Sequence, residues 1–125
     1  MQKRTWYPTR SFVSKAHDIM LKEFGGFPGF ERGLIVFDAI LKEAKSERGI
    51  YKEAAIFLRG IVIGRIFKDG NRRTVFEVTK TFLAMNGKKM KITNTEKIIR
   101  FIKDIRQYEI DEVETWLEYG EISKA

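Results

Sequence analysis

Residues 54–64, Ala-Ala-Ile-Phe-Leu-Arg-Gly-Ile-Val-Ile-Gly, constrain the fold more than any other stretch, because Arg59 is the only polar side chain among them. A segment that is apolar nearly all round has no face for water and must be enclosed by other elements. A strand buried on both sides would meet that requirement, and Ile56, Ile61, Val62 and Ile63 suit one. The length favours a helix, and Gly60 and Gly64, four apart, share a helical face on which a neighbour can approach closely. The reading is a helix at the centre of a bundle.

The rest of the chain supplies the helices that would surround it. Phe12, Val13, Ala16, Ile19, Met20 and Phe24 recur at three- and four-residue steps behind Thr9 and Ser11, either of which can cap a helix start. This helix stops at Gly25-Gly26-Phe27-Pro28-Gly29. Leu34, Ile35, Phe37, Ile40, Leu41 and Ala44 mark a second helix, ending near Ser46-Glu47-Arg48-Gly49 with the glycine as a left-handed cap. A further helix from about Arg73 to Asn86 carries Val75, Phe76, Val78, Thr79, Phe82, Leu83 and Met85. Thr93-Asn94-Thr95-Glu96 reads as a capping box for the next, with Ile98, Ile99, Ile102 and Ile105 inward. Asp111 is expected to cap a last helix bearing Val113, Trp116 and Leu117, and Trp6 and Trp116 to tie the two ends to the bundle. The expectation is an all-α bundle of about six helices forming a single domain over residues 1–125.

Composition removes several chemistries. With no cysteine and one histidine, His17, a disulfide, a thiolate site and a multi-histidine metal centre are all excluded. An intracellular, reducing compartment fits a cysteine-free chain, the N-terminus lacks an apolar signal core, and Arg59 and Arg65 interrupt the longest apolar stretch; a soluble, cytoplasmic protein is expected. The net charge of +7 is unevenly spread: from Glu109 onward six acids face one base, a local charge of −5 that leaves +12 on the remainder. A basic body suits phosphates, nucleotides or an acidic partner. Nucleic acid is disfavoured, since no aromatics are interleaved with the bases and no helix-turn-helix pattern is present.

Residues 65–74, Arg-Ile-Phe-Lys-Asp-Gly-Asn-Arg-Arg-Thr, lie between the central apolar segment and the helix that follows it. Phosphate binding needs converging free N–H groups, a residue that tolerates unusual backbone angles, and fixed cations. Gly70 offers the tolerance, and Arg72, Arg73 and the helix start offer the rest. Asp69 would repel a phosphate unless a cation lies between them, so it is a natural ligand for Mg²⁺ carried by a nucleotide. Asn71 can pin the loop or contact a phosphate oxygen. The same residues also make an ordinary Asp-Gly-Asn turn.

The run Phe67-Lys68-Asp69-Gly70-Asn71-Arg72-Arg73-Thr74 resembles the core motif of the Fic/Doc superfamily, specifically its death-on-curing (Doc) branch, whose pattern is His-x-Phe-x-Asp-(Gly or Ala)-Asn-Lys-Arg-Thr. Ala16-His17-Asp18, Gly25-Gly26-Phe27-Pro28-Gly29 and Thr81-Phe82-Leu83-Ala84-Met85-Asn86-Gly87 are similar to Doc proteins in kind and order, so the likeness covers nearly the whole chain. The resemblance implies a compact Fic fold, with the motif loop at the N-terminus of a central helix. It implies ATP phosphates bound by Gly70, Asn71, Arg72, Arg73 and Thr74, with Asp69 on Mg²⁺. Fic relatives transfer AMP to protein hydroxyls and carry a second arginine, whose position here is Phe76. Doc proteins lack it too, which implies transfer of the terminal phosphate. The family activity is phosphorylation of a threonine of elongation factor Tu, restrained by a small antitoxin partner.

Two positions depart from the pattern. Arg72 replaces lysine, keeping the charge but exchanging a point charge for a planar fork. Arg65 stands where the family histidine acts as general base, and an arginine stays protonated at any workable pH. The expectation is a Doc-like, ATP-dependent protein phosphotransferase of a toxin-antitoxin system, inactivated at Arg65. A catalytically silent nucleotide-binding module and a Fic-type AMP transferase are the alternatives. His17 could in principle supply a base, although a structural role suits its helix-face position better.

Overall fold

The computed structural model describes residues 4–122, and within them six α-helices and one short 3₁₀ turn account for the regular structure. The helices are α1 (Arg10–Phe24), α2 (Leu34–Ser46), α3 (Ile50–Gly64), α4 (Asn71–Met85), α5 (Thr95–Lys103) and α6 (Ile110–Tyr119), with the turn at Ile105–Gln107. Most of the segment that had to be enclosed is enclosed: Ala54, Ala55, Phe57, Leu58 and Ile61 of α3 are fully buried, while Val62 and Ile63 near its end are half-buried. Helices α2, α4 and α6 pack around it, and α1 lies against α4. Phe37 of α2 and Phe82 of α4 pack on Phe57, and Leu117 of α6 is buried in the same core.

Local chemistry explains most of the helix ends. The Thr9 hydroxyl accepts the Phe12 N–H at 3.1 Å and starts α1. Gly25, at φ 78°, stops it. Three expectations shift by a residue or two. Gly49 does not close α2, which ends at Ser46 with Glu47 extended; it stands at φ 110° as the N-cap of α3, which therefore begins at Ile50. Asn94 caps α5 through its side chain, accepting the Lys97 N–H at 3.1 Å, so no Thr93–Glu96 box forms. Glu109 rather than Asp111 precedes α6, and its N–H is held by the Glu112 carboxylate at 3.0 Å. In α5, Ile98 and Ile102 are buried as expected, but Ile99 turns outward and is 40% exposed. Trp116 lies parallel to Phe101 at 3.8 Å between ring centroids, and Trp6 meets Phe12 edge-on.

Among the described residues no helix is long and apolar enough to cross a membrane. Two loops carry the interest. Residues 25–33, between α1 and α2, cross over residues 65–70, between α3 and α4. An antiparallel bridge between Phe30 and Phe67 joins them, supported by backbone hydrogen bonds from Lys68 N–H to Gly29 O, Glu31 and Gly33 N–H to Ile66 O, and Arg32 N–H to Arg65 O.

Candidate functional site

The site is the turn that carries the chain from α3 into α4. Arg65 ends α3 in the left-handed region, at φ 49° and ψ 59°, and is the only non-glycine residue with positive φ among those described. That geometry turns the chain sharply, so that Ile66 and Phe67 plunge into the core while Lys68 and Asp69 return to the surface. Asn71 then closes the turn on itself. Its side-chain oxygen accepts the Phe67 N–H at 3.1 Å, and its amide donates to Phe67 O at 2.7 Å. Both polar ends of Asn71 are thereby used in pinning the loop.

Asp69 is held just as firmly. One carboxylate oxygen accepts the Gly70 N–H at 2.9 Å and the other the Phe27 N–H at 3.1 Å. The second contact brings the carboxylate against Gly26, where a Cβ would lie 2.8 Å from Asp69 Oδ2; only glycine fits there, at φ 124°. Each oxygen retains a lone pair, and Asp69 is exposed. Among the described residues no three His, Cys, Asp or Glu side chains cluster as metal ligands. A cation at Asp69 would thus draw its other ligands from water and phosphate oxygens, as nucleotide-bound Mg²⁺ ordinarily does.

Gly70, left-handed at φ 78° and ψ 11°, is the N-cap of α4 and has no side chain to satisfy the first amides of the helix. The first α4-type bond is Thr74 N–H to Gly70 O, which leaves the N–H groups of Asn71, Arg72 and Arg73 without acceptors among the described residues. Arg72 and Arg73 are exposed beside them, and the Arg73 guanidinium rests over the Phe24 ring at 4.1 Å. Thr74 lies beneath the loop instead of on it: it is fully buried and its hydroxyl has no hydrogen-bond partner. Phe76, one turn on, is half-buried.

Arg65 is spoken for by an acid. Its Nε donates to the Glu31 carboxylate, which is held below its usual range by that hydrogen bond, while the guanidinium is pushed further upward. His17, on α1, reaches the same loop from below and is only 3% exposed. Its ring lies flat against Phe67, 3.7 Å between centroids and 5° between planes, and Nε2 is 2.7 Å from Asp69 O.

The structure therefore brings Arg65, Asp69, Gly70, Asn71, Arg72 and Arg73 into one surface turn and sets Thr74 under it. Glu31, Phe24 and the Phe27 amide, which hold these residues in place, have no local signal in sequence; the Gly25–Gly29 run was the nearest hint, since so permissive a backbone beside a motif allows close approach. No family model and no curated protein matches the chain.

Proposed function

We propose that this protein is a Doc-like member of the Fic/Doc superfamily that binds ATP with Mg²⁺ at the start of α4 and is blocked in phosphoryl transfer by Arg65. One observation carries the reading: the α4 start offers three acceptor-free amides, a left-handed glycine and two exposed arginines together, on a loop whose sequence resembles the Doc motif. Arg72 and Arg73 would grip phosphate oxygens, the Asn71–Arg73 amides would accept the same anion, and Asp69 would hold the cation. The bound Mg²⁺ would neutralise phosphate charge. Asn71 would act by fixing the turn, with both its polar ends engaged.

The reaction of the family, on this reading, moves the terminal phosphoryl group of ATP to a threonine hydroxyl of a translation elongation factor, releasing ADP and the hydroxyl proton. A residue at position 65 must take that proton. Arg65 cannot, being protonated and paired with Glu31. Loss of a general base costs roughly a hundred- to ten-thousand-fold in rate. An antitoxin partner and a cytoplasmic setting belong to the same reading. The absence of a second arginine at Phe76 favours phosphoryl over AMP transfer. A silent nucleotide-binding module is the second reading, favoured by the Arg65–Glu31 ion pair, which gives the arginine a role of its own.

Calorimetric titration with ATP and Mg²⁺ tests the binding half. Binding is expected, weakened at least about tenfold in Arg72→Ala, as for loss of a charge-assisted hydrogen bond; no binding sinks the proposal. Labelled phosphate transfer to elongation factor Tu by Arg65→His tests the other half. Transfer that appears only in the variant supports a blocked transferase, whereas retained ATP binding with no transfer selects the silent module.

A further inference from the structure

We infer that His17 is a positioning residue that locks the Asp69–Gly70 peptide in the one orientation compatible with an anion at the α4 start. The inference rests on the nucleotide site proposed above. The plane of that peptide has two choices. A trans peptide points its C=O and its N–H in opposite directions, and the residue after it is a glycine, for which a flip meets little steric resistance. In the orientation present, Asp69 O points inward to His17 Nε2 at 2.7 Å, and Gly70 N–H points outward, where Asp69 Oδ1 accepts it. A flipped peptide would turn a carbonyl oxygen toward the acceptor-free amides of Asn71 and Arg72 and toward any phosphate they hold. It would also withdraw the Gly70 amide, one of the two that hold the Asp69 carboxylate.

A carbonyl only accepts, so the Nε2 of His17 carries the proton. The ring cannot swing away from its bond, because it is stacked flat on Phe67, which is itself stacked on Phe30 at 5.6 Å. Gly70 closes over it: a Cβ there would stand 3.4 Å from His17 Cδ2 and 3.5 Å from Nε2. One buried side chain thus ties α1 to the motif turn through a single directed N–H, while Phe67, on which it stacks, packs in turn on Phe30 of the crossing loop. The geometry commits the nitrogen nearest the motif to holding the loop and leaves it no part in accepting a substrate proton.

The test separates ring from donor. His17→Phe keeps a flat ring on Phe67 and removes the N–H; His17→Gln keeps an N–H of similar reach and removes the ring. In His17→Phe the amides of Phe67, Lys68 and Gly70 are expected to exchange with deuterium about five- to tenfold faster, as for loss of one hydrogen bond, with the α3 core amides unchanged. ATP–Mg²⁺ affinity is expected to fall by a similar factor. His17→Gln should recover most of both. If His17→Phe fails to fold, His17→Asn, whose amide is one bond too short, takes its place. Unchanged loop exchange and unchanged affinity in a folded donor-less variant would overturn the inference, as would equal loss in His17→Gln. A wild-type protein that binds no ATP, but whose loop amides respond as expected, would remove the nucleotide reading and leave the locking role standing.

Discussion

At the scale of single residues, Arg65 bears two loads that pull apart. Its side chain pairs with Glu31, but both partners are close to half exposed, and ion pairs of that kind contribute little. Its backbone sits in the left-handed region, where a Cβ crowds the following carbonyl and where asparagine, aspartate and histidine are the best-tolerated non-glycine residues. The conformation is imposed by the neighbours: Ile66 and Phe67 are buried on one side, and the Arg65 carbonyl accepts the Arg32 N–H at 3.1 Å on the other. Replacing the arginine should therefore move stability according to backbone tolerance, not charge. Arg65→His and Arg65→Asn are expected to melt within about 2 °C of the parent or above it, and Arg65→Val roughly 5 °C below. Equal melting of the valine and asparagine variants would show that the ion pair, not the turn, governs this position. The same argument predicts that Arg65→His keeps the turn, so that a change in phosphate transfer in that variant would not arise from misfolding.

At the scale of elements, the approach of α2 to α3 depends on two missing side chains. A Cβ on Gly64 would lie 2.6 Å from Val36 Cγ1, and one on Gly60 3.0 Å from Ile40 Cγ1. Helix propensity alone favours alanine over glycine by about 1 kcal/mol. Overpacking opposes it by roughly 1–3 kcal/mol, and valine, stiff at χ1, cannot yield easily. Gly64→Ala is thus expected to destabilise, and adding Val36→Ala to recover most of the loss, with chemical denaturation of the four members of the cycle as the measurement. Additive effects would rule out the clash. This close approach was legible in sequence, because the i, i+4 glycine spacing in an otherwise apolar segment has a purely geometric meaning. So were the helix faces, since Val13, Ile40, Ile61, Val78 and Ile102 follow a period that burial enforces. Cap identities were less legible, because Thr93, Asn94 and Thr95 are all competent caps and only the packing of Ile98 and Ile102 chooses among them. The crossing of residues 25–33 over the motif turn was not legible: it is made by backbone groups of segments some thirty-five positions apart, for which side-chain pattern carries no signal.

At the scale of the whole molecule, the segment before α1 is bound to the far end of α4. Asn86 accepts the Trp6 N–H at 2.9 Å and donates to both Trp6 O, at 3.0 Å, and Phe82 O, at 2.8 Å. The next residue, Tyr7, packs on Phe82 and donates a hydrogen bond from its hydroxyl to Glu53, a carboxylate only 3% exposed on the central helix. Burial comes first in raising both groups: the Glu53 carboxyl lies above its usual range, and the Tyr7 phenol, further restrained by its bond to Glu53, is pushed up to about 12. The sign follows directly. The folded state holds the Tyr7 proton when the unfolded chain has lost it, so this contribution to stability is complete below pH 10.0 and is lost as pH rises toward about 12. Losing the proton would also remove the donor that Glu53 depends on and set two negative charges side by side in the core. The slope of the parent alone sums over every group in the chain, whereas the difference between it and Tyr7→Phe isolates this pair. The variant is expected to melt lower than the parent at neutral pH, because Glu53 is left buried without its donor, and to lose less stability between pH 10.0 and about 12, so that the two melting curves converge in alkali. Parallel loss across that range would mean that the fold does not hold the Tyr7 proton against alkali.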